Sequence, residues 1–199
     1  MASEVSICNM ALFRIGHSQR IDSLSGASVP AELCKQIYPI ARDLLLESWD
    51  WTFARKRVAL ASVGDEPTDW DYQYQYPNDC LRARHIVLPG DRKPLASERV
   101  PYEVGFNTVN ELKAIYCDLE DAELVYTAAV TNVALFTPSF CDALSWAIAK
   151  ELVTPLAKDS KYVQLAGQQA ELTLRTAQAL DMNESQEDYP DSEFVTVRD

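Results

Sequence analysis

The residues of this chain that could do chemistry are two histidines, five cysteines, some close carboxylate pairs and an aromatic–basic stretch. His17 follows a glycine that reads as a helix stop, so solvent is expected around it. His85 falls in an extended segment, where a structural role is expected. The two lie too far apart for metal-ligand spacing. Cys8, Cys34, Cys80, Cys117 and Cys141 are odd in number and widely spaced, with no C-x-x-C, and so read as buried free thiols rather than a zinc site or disulfide framework. No G-x-S-x-G elbow, glycine-rich phosphate loop or H-E-x-x-H helix occurs. Glu120-Asp121 and Asp69 with Asp71 are acid pairs in turn-rich sequence and read as solvated loops. Glycoside hydrolysis requires a set distance between two carboxyl groups, which sequence does not supply, so a carbohydrate-degrading hydrolase is the alternative reading. No catalytic residue, metal ligand or cofactor site is assigned.

Two aromatic groups need weighing. Trp49, Trp51 and Phe53 run directly into Arg55, Lys56 and Arg57. Aromatics beside cations suit base stacking, which makes a nucleic-acid module a further alternative. On an extended segment, however, successive side chains alternate sides, so three adjacent cations make no single patch. The preferred reading is a plug where a helix hands over to a strand. Tyr72, Tyr74 and Tyr76 alternate with Gln73 and Gln75. They read as the core face of a strand whose other face is polar, since no Lys or Arg alternates with them.

Charge narrows the partners. The net charge is −12, from 18 basic and 30 acidic residues, which argues against general DNA binding. Residues 1–60 are nearly neutral at +1, while 61–137 carry −7 and 138–199 carry −6. There is no basic-then-apolar leader and no run of membrane-span length, so assembly in a reducing cytoplasm, away from membranes, is expected.

The elements that must position these residues follow from periodicity. Ile7, Cys8, Ala11, Leu12 and Ile15 predict a helix over 4–15, stopped by Gly16. Ile21 and Leu24 anchor a polar linker. Ser28 and Pro30 open a second helix with Leu33, Cys34, Ile37, Ala41, Leu44 and Leu45 on its buried face and a kink at Pro39. Extended segments follow at 51–61, 72–76, 80–88 and, between 100 and 129, three short strands forming a small antiparallel meander. Thr137 and Pro138 start a helix with Phe140, Leu144, Ala147, Ile148 and Leu152, which Pro155 ends or bends. Ser160 starts another with Val163, Ala166, Ala170, Leu174 and Ala177 inward. The fold expected is mainly α, a bundle of about four helices interrupted by one small antiparallel β domain. Residues 1–56 and 137–183 would form the helical core, 57–136 the β-rich insertion and 184–199 an acidic tail. That tail has the composition of a disordered segment, yet it keeps Phe194, Val195 and Val197. These suit docking by strand addition or into a groove; a frayed terminus is the other reading.

The segment YPIARDLLLESWDWTFARKRVALA resembles the helix-to-strand segment of phage tail tubular protein A, the head-to-tail adaptor or gatekeeper-ring family of tailed phages. The likeness rests on Tyr38, Pro39, Arg42, Asp43, Trp51, Phe53, Ala54, Arg57, Leu60 and Ala61. Ile15-Gly16, Ser23-Leu24, YQYQYPNDCLRARHI and VTNVALFTPSFCDALSWAIAKELVTPL are similar to the family's pattern in the same order. The likeness spans most of residues 3–182 and fails at 89–112 and beyond 183. It implies a virion structural protein of the neck: a ring, commonly twelvefold, that binds the portal protein above and the next tail component, a nozzle or tail-tube protein, below. DNA would pass through the channel without specific binding. No enzymatic site belongs to that role, although some relatives have been credited with carbohydrate-degrading activity.

Overall fold

A computed structural model describes residues 2–64, 69–91, 99–107, 111–156 and 160–184. Helix α1 spans Glu4–Arg14. The hydroxyl of Ser3 accepts from the Ser6 amide at 3.1 Å, and that of Ser6 accepts from the Ser3 amide at 2.8 Å, which satisfies two free donors of the first turn. At the other end Gly16 takes φ +77°. His17 N–H then reaches Leu12 O and Gly16 N–H reaches Phe13 O, both at 3.0 Å, so the last carbonyls are also paired. The linker is pinned by Asn9, whose amide donates to Ile21 O and accepts from Ile21 N–H, both at 2.9 Å.

Helix α2 spans Val29–Ser48, and Ser28 caps it by accepting from the Ala31 amide. It runs through Pro39 without ending. Helix α3, Pro138–Leu156, starts at Thr137, whose hydroxyl accepts from Phe140 N–H at 3.2 Å, and includes Pro155 in its last turn. Helix α4 spans Ser160–Met182. The other three helices pack on α3, which is buried through Phe140, Cys141, Ala143, Leu144, Ser145, Ile148, Ala149, Leu152 and Val153. A hydrophobic helix buried this widely is the centre of its layer rather than a flank.

The strands are β1 Arg55–Ala59, β2 Tyr72–Gln75, β3 Cys80–Val87, β4 Glu103–Asn107, β5 Leu112–Cys117 and β6 Glu123–Ala128. They form two three-stranded antiparallel sheets, ordered β1-β6-β3 and β2-β5-β4. Tyr74, Ile115 and Cys117 of one sheet and Ile86, Leu124, Tyr126 and Ala128 of the other share one buried cluster. A second cluster joins the four helices with Trp51, Ala54 and Val130.

This arrangement corrects the expected fold class. The chain is not a helical bundle interrupted by one small β domain; helices flank two separate sheets. The expectation assumed that strands neighbouring in sequence would pair in a meander. Instead β1 pairs with β6, from Arg55 opposite Thr127 to Ala59 opposite Glu123, and β6 also pairs with β3. A long-range partner of this kind leaves no trace in local periodicity.

Two helix faces also differ from their predicted stripes. On α2 the buried set is Ala31, Cys34, Tyr38, Ala41, Arg42, Leu45 and Leu46, whereas Leu44 is 61% exposed and Ile40 62% exposed. The side chains of Tyr38 and Arg42 turn inward and rotate the face by about one residue. On α4 Ala166 and Ala177 are buried, and Val163 lies exposed.

Candidate functional site

The aromatic junction is built where α2 ends. Trp51 is fully buried and its ring N–H donates to Leu45 O at 2.9 Å, satisfying one of the free carbonyls at the end of α2. Its ring meets Phe140 edge-on at 5.0 Å and 82°, and Phe53 meets Phe140 likewise at 5.0 Å and 73°. Phe136 completes the cluster, 4.8 Å from Phe140. Trp49 is half-buried at its edge and donates to Asp181 at 3.3 Å. Asp181, from the last turn of α4, is itself buried. It accepts from the Thr52 amide at 3.0 Å and the Thr52 hydroxyl at 2.7 Å. The sequence reading missed Asp181, because an acidic residue near a helix C-terminus reads as solvated surface.

The basic triplet alternates as its spacing requires. Arg55 pairs with Asp50 at 3.0 Å, Lys56 with Asp79 at 2.6 Å, and Arg57 with Glu123. The Lys56 ammonium and the Tyr126 hydroxyl both donate to Asp79, and the Lys56 bond is the larger cause holding its carboxyl below the usual range. Arg84 ties sheet to helix. Its guanidinium donates to Thr127 Oγ1 at 2.8 Å, to Glu47 O at 3.1 Å and to Trp49 O, covering the exposed carbonyl end of α2. Burial, then the nearby Arg99, lowers the His85 pKa.

Among the described residues, one edge of strand β1 is open. Leu60 N–H donates to Ala122 O at 2.8 Å, and the pairing register continues that phase to Val58 and Lys56. The backbone groups of Arg55, Arg57 and Ala59 therefore point away from β6. Among the described residues no strand pairs with that side, and all five residues of β1 are exposed.

A groove of about 520 Å³ runs between α2, α3 and α4. Ile37, Ile40, Leu44 and Leu174 give it apolar walls, and Gly167 and Ala170 keep its α4 side shallow. Lys150, Glu151 and Glu171 supply a charged rim. Leu44, expected in the core, is instead one of its walls.

The tyrosine ladder divides three ways. Tyr74 is buried and donates to Leu119 O at 2.7 Å; Tyr72 stacks on it at 6.3 Å and is partly exposed. Tyr76 lies under the Lys113 ammonium, 5.3 Å from its ring centre, beside a 310 Å³ cavity that Cys80 and Leu112 also line. The polar face expected opposite is only half solvated: Gln75 is exposed, but Gln73 is 5% exposed, and its amide nitrogen has no hydrogen-bond partner among the described residues. Glu120 and Asp121 lie in the β5–β6 turn, Asp121 at φ +54°, and neither lines the groove or the cavity. His17 sits at the exposed end of the α1 stop. Among the described residues, no three His, Cys, Asp or Glu side chains are placed to share a metal ion, and no helix is long and apolar enough to cross a membrane. Phe194, Val195 and Val197 lie outside the described residues. No family model matches the chain, and no curated protein matches it significantly.

Proposed function

We propose that the chain is a structural subunit of a phage neck: an adaptor ring, of about twelve copies, that joins the portal protein to the next tail component and lets DNA through its channel. The order of motifs that resembles the tail tubular protein A family is the ground for the family assignment. The observation that carries the reading is the apolar groove of α2, α3 and α4, with Ile40 and Leu44 open to solvent on a helix whose opposite face is already packed. Apolar surface in such a groove favours a macromolecular partner. A closed ring joins two unlike faces of each subunit. In this reading the groove is one, and its occupant is a second copy of the chain. The other is α1, which does not line the groove and holds Phe13 81% exposed. A lone aromatic knob of that kind suits a groove with small residues at Gly167 and Ala170.

The test is coexpression with the portal protein of the same phage, read by electron microscopy and mass measurement. The wild-type chain is expected to form rings on the portal. The double variant Ile40→Glu/Leu44→Glu changes only exposed positions, so it should keep its circular dichroism spectrum and lose the ring. Rings that form unchanged would remove the groove from the interface. A wild-type chain that never joins the portal would overturn the reading itself.

A further inference from the structure

We infer that residues 193–197 of the chain's own C-terminal segment add to the open edge of β1 as a fourth strand, giving the order tail-β1-β6-β3. Three observations converge on that edge. First, the described chain ends near the start of β1: a Glu184 carboxylate oxygen lies 3.3 Å from the Thr52 hydroxyl, three residues before the strand begins, and that hydroxyl donates to Asp181 at 2.7 Å. The segment that follows therefore starts at one end of β1. Second, the length fits. β1 has five residues and spans about 17 Å. The nine residues from Glu184 to 193 reach up to about 30 Å, enough to pass along β1, reverse, and return antiparallel. Pro190-Asp191 is a suitable pair for that reversal.

Third, the chemistry matches on both faces. Beyond Asp181 the segment holds Glu184, Glu187, Asp188, Asp191, Glu193 and Asp199 against the single cation Arg198, whereas β1 presents Arg55, Lys56 and Arg57. Each of those cations already has one carboxylate, so added acids extend networks rather than meet bare charges. Val58, half-open at the rim of the sheet core, supplies an apolar neighbour for one side of the strand. Residues 193–197 read Glu-Phe-Val-Thr-Val, with β-branched residues at three of five positions and an aromatic at a fourth, a composition that suits a strand. The added strand would satisfy the outward N–H and C=O groups of Arg55, Arg57 and Ala59 and close an edge that is otherwise a template for aggregation. In the adaptor reading, a partner that takes Phe194, Val195 and Val197 must first displace them from β1. The inference itself does not depend on that reading and is tested on the isolated chain.

Amide hydrogen exchange on the purified full chain decides it. A chain ending at Glu184 keeps the Asp181 and Thr52 contacts and serves as the comparison. The amides of Arg55, Arg57 and Ala59 are expected to exchange at least about tenfold slower in the full chain. Those of Lys56 and Val58, which already face β6, should match in both. Val195→Pro/Val197→Pro, which removes donors from the added strand, should reproduce the truncated chain. Protection is expected to persist on hundredfold dilution. Equal exchange in full and truncated chains would overturn the inference. So would protection that vanishes on dilution, which would assign the strand to a second copy.

Discussion

Asp181 is the residue on which the junction depends. One carboxylate serves the Thr52 amide, the Thr52 hydroxyl and the Trp49 ring N–H, and in doing so fixes the end of α4 to the turn between α2 and β1. A buried acceptor with three donors cannot be removed quietly, because each stranded donor keeps its desolvation cost. Asp181→Ala is expected to lower stability by about 2–4 kcal/mol, read as a shift in urea midpoint at unchanged slope. Asp181→Asn keeps one acceptor and should fall between the two. Loss of under about 0.5 kcal/mol in the alanine variant would place the anchoring of α4 elsewhere. Trp51 marks the contrast. Its burial was readable, since an indole beside a helix end and two further aromatics belongs in a core. Asp181 was not readable, because its partners lie about 130 positions away.

Between elements, legibility followed range. The caps at Ser28 and Thr137 and the glycine stop at Gly16 are local, and each lies where its spacing indicated. The sheet order was illegible. The handover from helix to strand is legible in the aromatics before Arg55, but nothing in residues 55–59 names β6 as the partner of β1. The burial of Gln73 was hidden for the same reason: it depends on what covers β2, not on β2 itself. The groove has no signature in the sequence. Spacing puts Ile37, Ala41 and Leu44 on one buried face of α2; Ile37 and Ala41 do lie against the core, whereas Leu44 is a groove wall. One strand pair shows a constraint at element scale. A Cβ at Gly105 on β4 would come within 2.5 Å of the Tyr116 ring on β5, so the glycine gives the ring its place across the sheet. Gly105→Ala should cost about 1–3 kcal/mol. In a Tyr116→Ala background the same change should be nearly free, and a double-mutant cycle measures that coupling. Additive costs would mean that the penalty at Gly105 does not come from the Tyr116 ring.

Across the whole molecule, charge sets what the chain will meet. The net −12 opposes polyanions, yet eight of the 18 basic residues fall between positions 55 and 99, five of them on β1 and β3. Two outcomes compete. If Trp49, Trp51 and Phe53 acted with Arg55, Lys56 and Arg57 as a stacking platform, the rings would have to be reachable. Trp51 is sealed against Phe140 with its N–H on Leu45 O, and the cations are held by Asp50, Asp79 and Glu123. Releasing those pairs to reach phosphates exchanges one carboxylate partner for another anion, with the uncompensated acids left beside the DNA. Counterion release, the main source of affinity for a duplex, is then largely cancelled. We therefore expect no detectable retention of a fluorescent duplex or single strand at 150 mM salt, and at most weak binding near 50 mM. The measurement is anisotropy across a salt series. A steep slope, with affinity falling about a thousandfold or more between those salts, would count several phosphate contacts and would sink this account of the charge. A flat, empty titration is the outcome that the proposed channel role calls for, since a surface that bound phosphates would hold the DNA back.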